Sequence, residues 1–139
     1  MNILIAGLFA CGCVSLVDAP LWPPASDYID SAVDCSQTGN ATGCESTRKG
    51  WAHDFDDAIA GKYEAQKTVA YCLSTGCSGA IKIDAILGCA WQKVAIGTAN
   101  RDGDIASLAQ YCGRDYLDLT GQGAAETEAR TLQQMLSVK

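Results

Sequence analysis

The sequence predicts an all-α fold: about five or six short helices paired as antiparallel hairpins into a repeat-like bundle, stapled by disulfides. Three observations predict it. Apolar residues recur at helical spacing from Trp51 onward, glycine-bearing turns separate the periodic stretches, and an even set of six cysteines runs from Cys35 to Cys112. No stretch alternates apolar and polar residues for long enough to read as a sheet strand.

The first 18 residues differ in kind from the rest. Ile3 to Val17 is almost wholly apolar or small, and Asp18 carries the first charge. Such a run is too short to span a bilayer and has the length of a signal-peptide core. Two export readings are open. In one, residues 1–18 are a leader ahead of a single domain over 19–139. In the other, Leu8-Phe9-Ala10-Cys11 resembles a bacterial lipobox, and Cys11 is the lipidated first mature residue. The second avoids cleavage beside Pro20, although Phe9 stands where a small residue is usual. No Lys or Arg precedes the apolar run. A buried N-terminal helix is the alternative to export.

Beyond the leader, the prolines of Leu21-Trp22-Pro23-Pro24 set a stiff, extended lead-in, and Trp22 is expected to be the exposed aromatic. Ser26 and Asp27 offer caps for a short helix carrying Tyr28, Ile29, Ala32 and Val33. Gln37 to Gly43 reads as a polar loop. Trp51, Phe55, Ala58 and Ile59 then mark one helical face, and Gly61 interrupts it. Ala65, Val69, Cys72 and Leu73 mark a second, ended by Ser74-Thr75-Gly76. Asp84 caps a third with Ile86, Ala90, Trp91 and Val94 on its stripe. After a turn over Gly97 to Gly103, Ile105, Leu108, Ala109 and Cys112 mark a fourth. Thr120 to Gly123 precedes a last helix with Ala125, Ala129, Leu132, Met135 and Leu136.

Charge and cysteine usage narrow the function classes. Sixteen acidic and ten basic residues give a net charge of −6, and no Lys/Arg run breaks that balance. Nucleic acid is therefore not expected as a partner, and a membrane is expected only through a lipid on Cys11. Eight cysteines in 139 residues point to an oxidising, exported location: periplasmic, envelope-anchored or secreted. Zinc needs closely spaced ligand pairs, and only Cys72 and Cys77 approach that spacing beside a single histidine. No metal or other cofactor is expected.

Turn geometry favours the bridges Cys35–Cys44, Cys72–Cys77 and Cys89–Cys112. Cys89 and Cys112 are centred between Asn100 and Arg101, inside the Gly97–Gly103 turn, each about 17 Å along its arm at 1.5 Å per residue. Cys35 and Cys44 flank the polar loop, and Cys77 follows the helix that Cys72 closes. The rival arrangement, Cys77–Cys89 with Cys72–Cys112, would join three helices.

The order of residues from Gly61 to about Tyr116 resembles the Sel-one-like helical repeats of the tetratricopeptide type. Ala65-Gln66, Tyr71, Gly76, Gly79, Asp84, Trp91, Lys93 and Ala95 follow that family's sequence of positions, and Ala109-Gln110-Tyr111 looks like the opening of another unit. Gly88 stands where the family usually has alanine. The resemblance implies protein–protein interaction through a concave helical surface, with another protein as partner.

One alternative involves catalysis. His53-Asp54 is similar to the pair in secreted calcium-dependent phospholipases of the A type, where histidine deprotonates water and aspartate holds calcium. No glycine-rich calcium loop precedes it, and no second aspartate orients the imidazole. The plainer reading puts Asp54, Asp56 and Asp57 at the positive end of a helix dipole, with His53 on the solvent face. Asn100-Arg101-Asp102-Gly103-Asp104 lacks the acid spacing of an EF-hand and reads as a turn with a helix cap. Trp51 and Trp91 lie on apolar stripes and read as core. Asn40-Ala41-Thr42 is a glycosylation sequon. No nucleophile elbow or phosphate loop is present. No catalytic set is assembled, so the chain reads as a binding or scaffold module, with a small calcium-dependent lipolytic hydrolase as the alternative and oligomeric state open. Export is checked by intact mass: the native protein should lack at least its first ten residues, and a mass retaining Met1 would contradict it.

Overall fold

Short polar side chains and glycines place the helix ends. The computed structural model describes residues 20–138; the leader and Cys11 lie outside them. Helix α1 (Ala41–Ile59) starts at Asn40, whose Oδ1 accepts from the Gly43 amide at 2.9 Å. Gly61, at φ +87°, turns the chain into α2 (Tyr63–Thr75), and Gly76, at φ +80°, closes that helix with its amide on Cys72 O. Asp84 caps α3 (Ala85–Thr98) through Leu87 N at 2.9 Å. Helix α4 (Asp104–Cys112) follows Gly103, and Asp118 caps α5 (Leu119–Ser137) through Gly121 N at 2.7 Å.

Two helices begin earlier than their apolar periods predict. α1 starts inside the expected Gln37–Gly43 loop, and α5 includes the expected Thr120–Gly123 lead-in. In each, a capping side chain outweighs helical glycines that cost about 1 kcal/mol apiece. The earlier start of α1 corrects a second point. Asp54, Asp56 and Asp57 lie in its last turns, not at its positive end.

The Tyr28–Val33 helix does not form. Ala25–Tyr28 is a single 3-10 turn, and Ile29 then pairs antiparallel with Ile81 in an isolated bridge. Asp30 N donates to Ala80 O at 2.9 Å and Lys82 N to Tyr28 O at 2.8 Å, so the loop after α2 satisfies this backbone instead. A second 3-10 turn, Cys35–Gln37, precedes α1. Trp22 also departs from expectation. The extended proline segment lays it on the core, stacked on Trp91 at 6.0 Å and edge-on to Phe55 at 6.5 Å.

α3 is the centre of the bundle. It packs against α2, α5 and α4, while α1 covers α2. Its residues Gly88 to Gln92, Val94 and Ala95 are all buried, as suits a helix surrounded by others. Trp51, Phe55, Val69, Leu73 and Trp91 fill the main core. At Gly88, an added Cβ would lie 2.9 Å from the Ser74 backbone nitrogen and 3.2 Å from Ala70 O. That close approach accounts for a glycine at this position.

α4 is packed differently from its expected stripe. Ile105 is 64 % exposed and Ala109 is also exposed, while Leu108 and Cys112 are only half-buried. Ile86 of α3, likewise expected inside, stands exposed. α4's one fully buried residue is Asp104. Disulfides join Cys35 to Cys44, Cys72 to Cys77 and Cys89 to Cys112, with Cα separations of 5.5, 4.8 and 5.1 Å. These are the pairs that turn geometry favours, and the last holds the end of α4 to α3.

Two stability predictions follow from this packing. Gly88→Ala should destabilise the fold by about 1–3 kcal/mol in urea unfolding, because backbone cannot yield as a side-chain end can; an unchanged midpoint would contradict the close approach. Loop closure assigns each bridge about 2–4 kcal/mol. Excess dithiothreitol should therefore lower the melting temperature markedly, with reduction confirmed by mass.

Candidate functional site

α2 and α4 both lie on α3 yet barely approach each other, leaving a cleft with α3 as its floor. Its volume is about 480 Å³. Lys67, Thr68 and Tyr71 line it from α2, Ser107 and Tyr111 from α4, and Gln92 from α3.

One end of the cleft is closed by a buried charge. Asp104 Oδ1 lies 2.8 Å from Lys67 Nζ, and Asp104 Oδ2 accepts from Arg101 N at 2.8 Å. The Tyr63 hydroxyl sits 2.8 Å from both carboxylate oxygens. Arg101 lies over the Tyr63 ring at 4.2 Å and pairs with Glu64. The expected capping role of Asp104 is thus corrected: it is the first residue of α4, and its side chain turns back into the protein. Hydrogen bonds from Lys67 and then Arg101 hold its carboxyl down at about 2, against the opposing effect of burial. The same contact with Asp104 raises Lys67, and burial is the main cause raising Tyr63.

At the other end Tyr71 and Tyr111 line the cleft, and Tyr116 packs on Tyr111 outside that lining. Tyr71 and Tyr111 meet edge-on at 6.1 Å, and Tyr111 and Tyr116 at 5.8 Å. Tyr71 is 52 % exposed, and the Tyr116 hydroxyl donates to Ser74 O. Burial, then the neighbouring tyrosines, raises Tyr111.

Two glutamines are buried in this region, and they differ. Gln66 donates to Ala58 O at 3.3 Å and accepts from Thr98 Oγ1 at 2.7 Å. Gln92 is 3 % exposed, and its Nε2 has no hydrogen-bond partner. Leaving a buried donor unmet costs about 1–3 kcal/mol. Sequence reasoning passed over Gln92. Its one signal was a carboxamide directly after Trp91 in a helix otherwise rich in apolar and small residues.

The His53-Asp54 pair gathers no further groups. His53 is 79 % exposed and points along α1 to Asp57 at 3.5 Å. Asp57 is held low by its hydrogen bond from Lys62. Among the described residues, no three His, Cys, Asp or Glu side chains are placed to hold a metal ion. No described helix is long and apolar enough to cross a membrane. Asn40 of the sequon is exposed and occupied as the α1 cap. No family model, curated protein or solved structure matches the chain.

The Asp104 clamp makes a pH prediction. Its folded pKa of about 2 lies below the ordinary carboxyl value, so its stabilisation is full above about pH 4 and is lost as pH falls toward 2. Melting temperature should fall across that window, and Asp104→Asn should be less stable at pH 7 but flatter below pH 4. Equal slopes in both proteins would contradict the clamp.

Proposed function

We propose that this chain is an exported, helical-repeat-like module that binds another protein in the cell envelope or outside the cell. The observation carrying the proposal is the α2–α4 cleft, whose lining sets a buried carboxamide without a partner beside the exposed Tyr71 and the half-buried Tyr111. Burying such a donor at that cost makes sense where a ligand completes it. Three disulfides agree with an oxidising, extracellular-type setting. The apolar stretch before Asp18 extends this to export, by a cleaved leader or by lipid on Cys11. The repeat-like part of the proposal, residues 61–116, rests on their resemblance in residue order to the Sel-one-like repeats. Function needs no cofactor on this reading.

The test is a pull-down of envelope and extracellular extracts by the tagged, disulfide-intact protein. One specific protein partner, retained after salt washing, is the expected result. Recovery of none would fit a purely structural envelope protein. Calcium-dependent ester hydrolysis abolished by His53→Ala would contradict the proposal and favour the lipolytic alternative.

A further inference from the structure

We infer that an aromatic pocket between the proline segment and α5 binds a quaternary ammonium group, of the kind a choline headgroup carries. The pocket shares no lining residue with the α2–α4 cleft, so this second site goes beyond the binding-module reading and does not rest on it. Four aromatic side chains line it: Trp22, Tyr28, Phe55 of α1 and Trp91 of α3. Phe55 and Trp91 are buried and Trp22 and Tyr28 half-buried, so the aromatic lining runs from the core to the surface. The rings are set at different angles. Trp22 is edge-on to Phe55 at 85°, Tyr28 is tilted on Phe55 at 42°, and Trp91 meets Phe55 at 66°. Rings so disposed bound a space from several sides, and a cation within about 6 Å of a ring centroid is attracted by the ring quadrupole. The cavity holds about 200 Å³. That is below the roughly 300–1,000 Å³ of pockets that take drug-sized ligands, and it suits a small headgroup.

Charge selects a cation over a neutral apolar group. Glu128 of α5 belongs to the lining, and no Lys, Arg or His does. Burial, then the charges of Asp27, Asp84 and Glu128, raises the Tyr28 hydroxyl, so three carboxylates act on one wall of the pocket. None of the three forms an ion pair among the described residues. Lys82 Nζ donates to the Asp27 backbone carbonyl at 2.9 Å, not to these carboxylates. Asp84 also caps α3, which leaves its charge in place. The α2–α4 cleft differs, because Lys67 and Arg101 already neutralise its acids. Methylation of the cation follows from the lining. A primary ammonium brings three N–H donors, whereas a quaternary one brings none, and the pocket wall is mainly apolar side chain.

The test titrates the disulfide-intact protein with choline chloride while following the indole N–H signals by NMR. Saturable shifts at Trp22 and Trp91, larger than at Trp51 outside the lining, are expected. The uncharged isostere dimethylbutanol, in which carbon replaces the nitrogen, should bind about tenfold or more weakly. Glu128 is exposed, so Glu128→Gln should melt like wild type and bind choline about threefold more weakly. Trp22→Leu keeps an apolar side chain but no ring, and should weaken choline about fivefold while leaving dimethylbutanol nearly unchanged. Cosedimentation with phosphatidylcholine but not phosphatidylglycerol vesicles would assign the group to a lipid headgroup; choline binding without cosedimentation would assign it to a free solute. Absence of saturable shifts with choline would overturn the inference. Equal affinity for dimethylbutanol would do the same, since the pocket would then be merely apolar, as would unchanged choline affinity in either variant.

Discussion

The carboxylate of Asp104 is the contact on which the α2–α4 cleft of this molecule depends. A buried charge is tolerated only when it is paired and hydrogen-bonded, and Asp104 receives Lys67, the Tyr63 hydroxyl and the Arg101 amide. Those donors come from α2 and from the loop before α4. The clamp therefore fixes where α4 begins relative to α2. At its other end, Cys89–Cys112 fixes α4 to α3. Between these two points α4 buries little apolar surface, since Ile105 and Ala109 face solvent. A helix pinned at its ends rather than packed along its length can stand apart from its neighbour, and the cleft is the space that results.

The rest of the bundle is built by close packing instead. Small residues let α3 sit against α2 with Gly88 next to the Ser74 backbone, and the lead-in folds Trp22 and Tyr28 over Phe55 and Trp91. The Trp51 indole donates to Ala25 O at 2.9 Å and Arg48 donates to the carbonyls of Asp30 and Val33. Irregular chain is thereby anchored to α1 through its own backbone acceptors, and Cys35–Cys44 closes the same region covalently. The contrast is between a closely packed part made by α1, α2, α3 and the lead-in, and a helix held beside it mainly by one ionic cluster, one covalent bond and the Tyr71–Tyr111 contact.

How much of this was legible in the sequence follows from the range of the forces involved. Local signals were readable: the helical period through Trp51 and Phe55, Gly76 as a left-handed cap, Asp84 as an N-cap, and cysteines equidistant from a turn. Long-range partners were not. Tyr28 to Val33 looked like a helix because its own residues permit one, yet the bridge to Ile81 lies 52 residues away in the chain (81 − 29). Asp104 looked like a cap because aspartate is favoured just before an apolar helical period, here the one opening at Ile105. Its real partner Tyr63 is 41 residues distant. Periodicity also overstated α4, whose apolar stripe is only partly covered, with Leu108 and Cys112 half-buried and Ile105 and Ala109 exposed. The cleft was invisible for the same reason: it is defined by two helices whose side chains meet at only a few points, which no local pattern records.

The most direct measurement of the two-point account of α4 is residue-resolved amide hydrogen exchange. It should be made on wild type, on Asp104→Asn, on Cys89→Ser/Cys112→Ser, and on the three substitutions together. Each partial variant should lose protection in Leu108 to Cys112 or Asp104 to Leu108 nearest its lost anchor, with α2 and α3 amides unchanged. The combined variant should lose protection throughout α4 while the α2–α3 hairpin stays protected. Retained α4 protection in the combined variant would contradict the account, because apolar packing would then be what holds the helix.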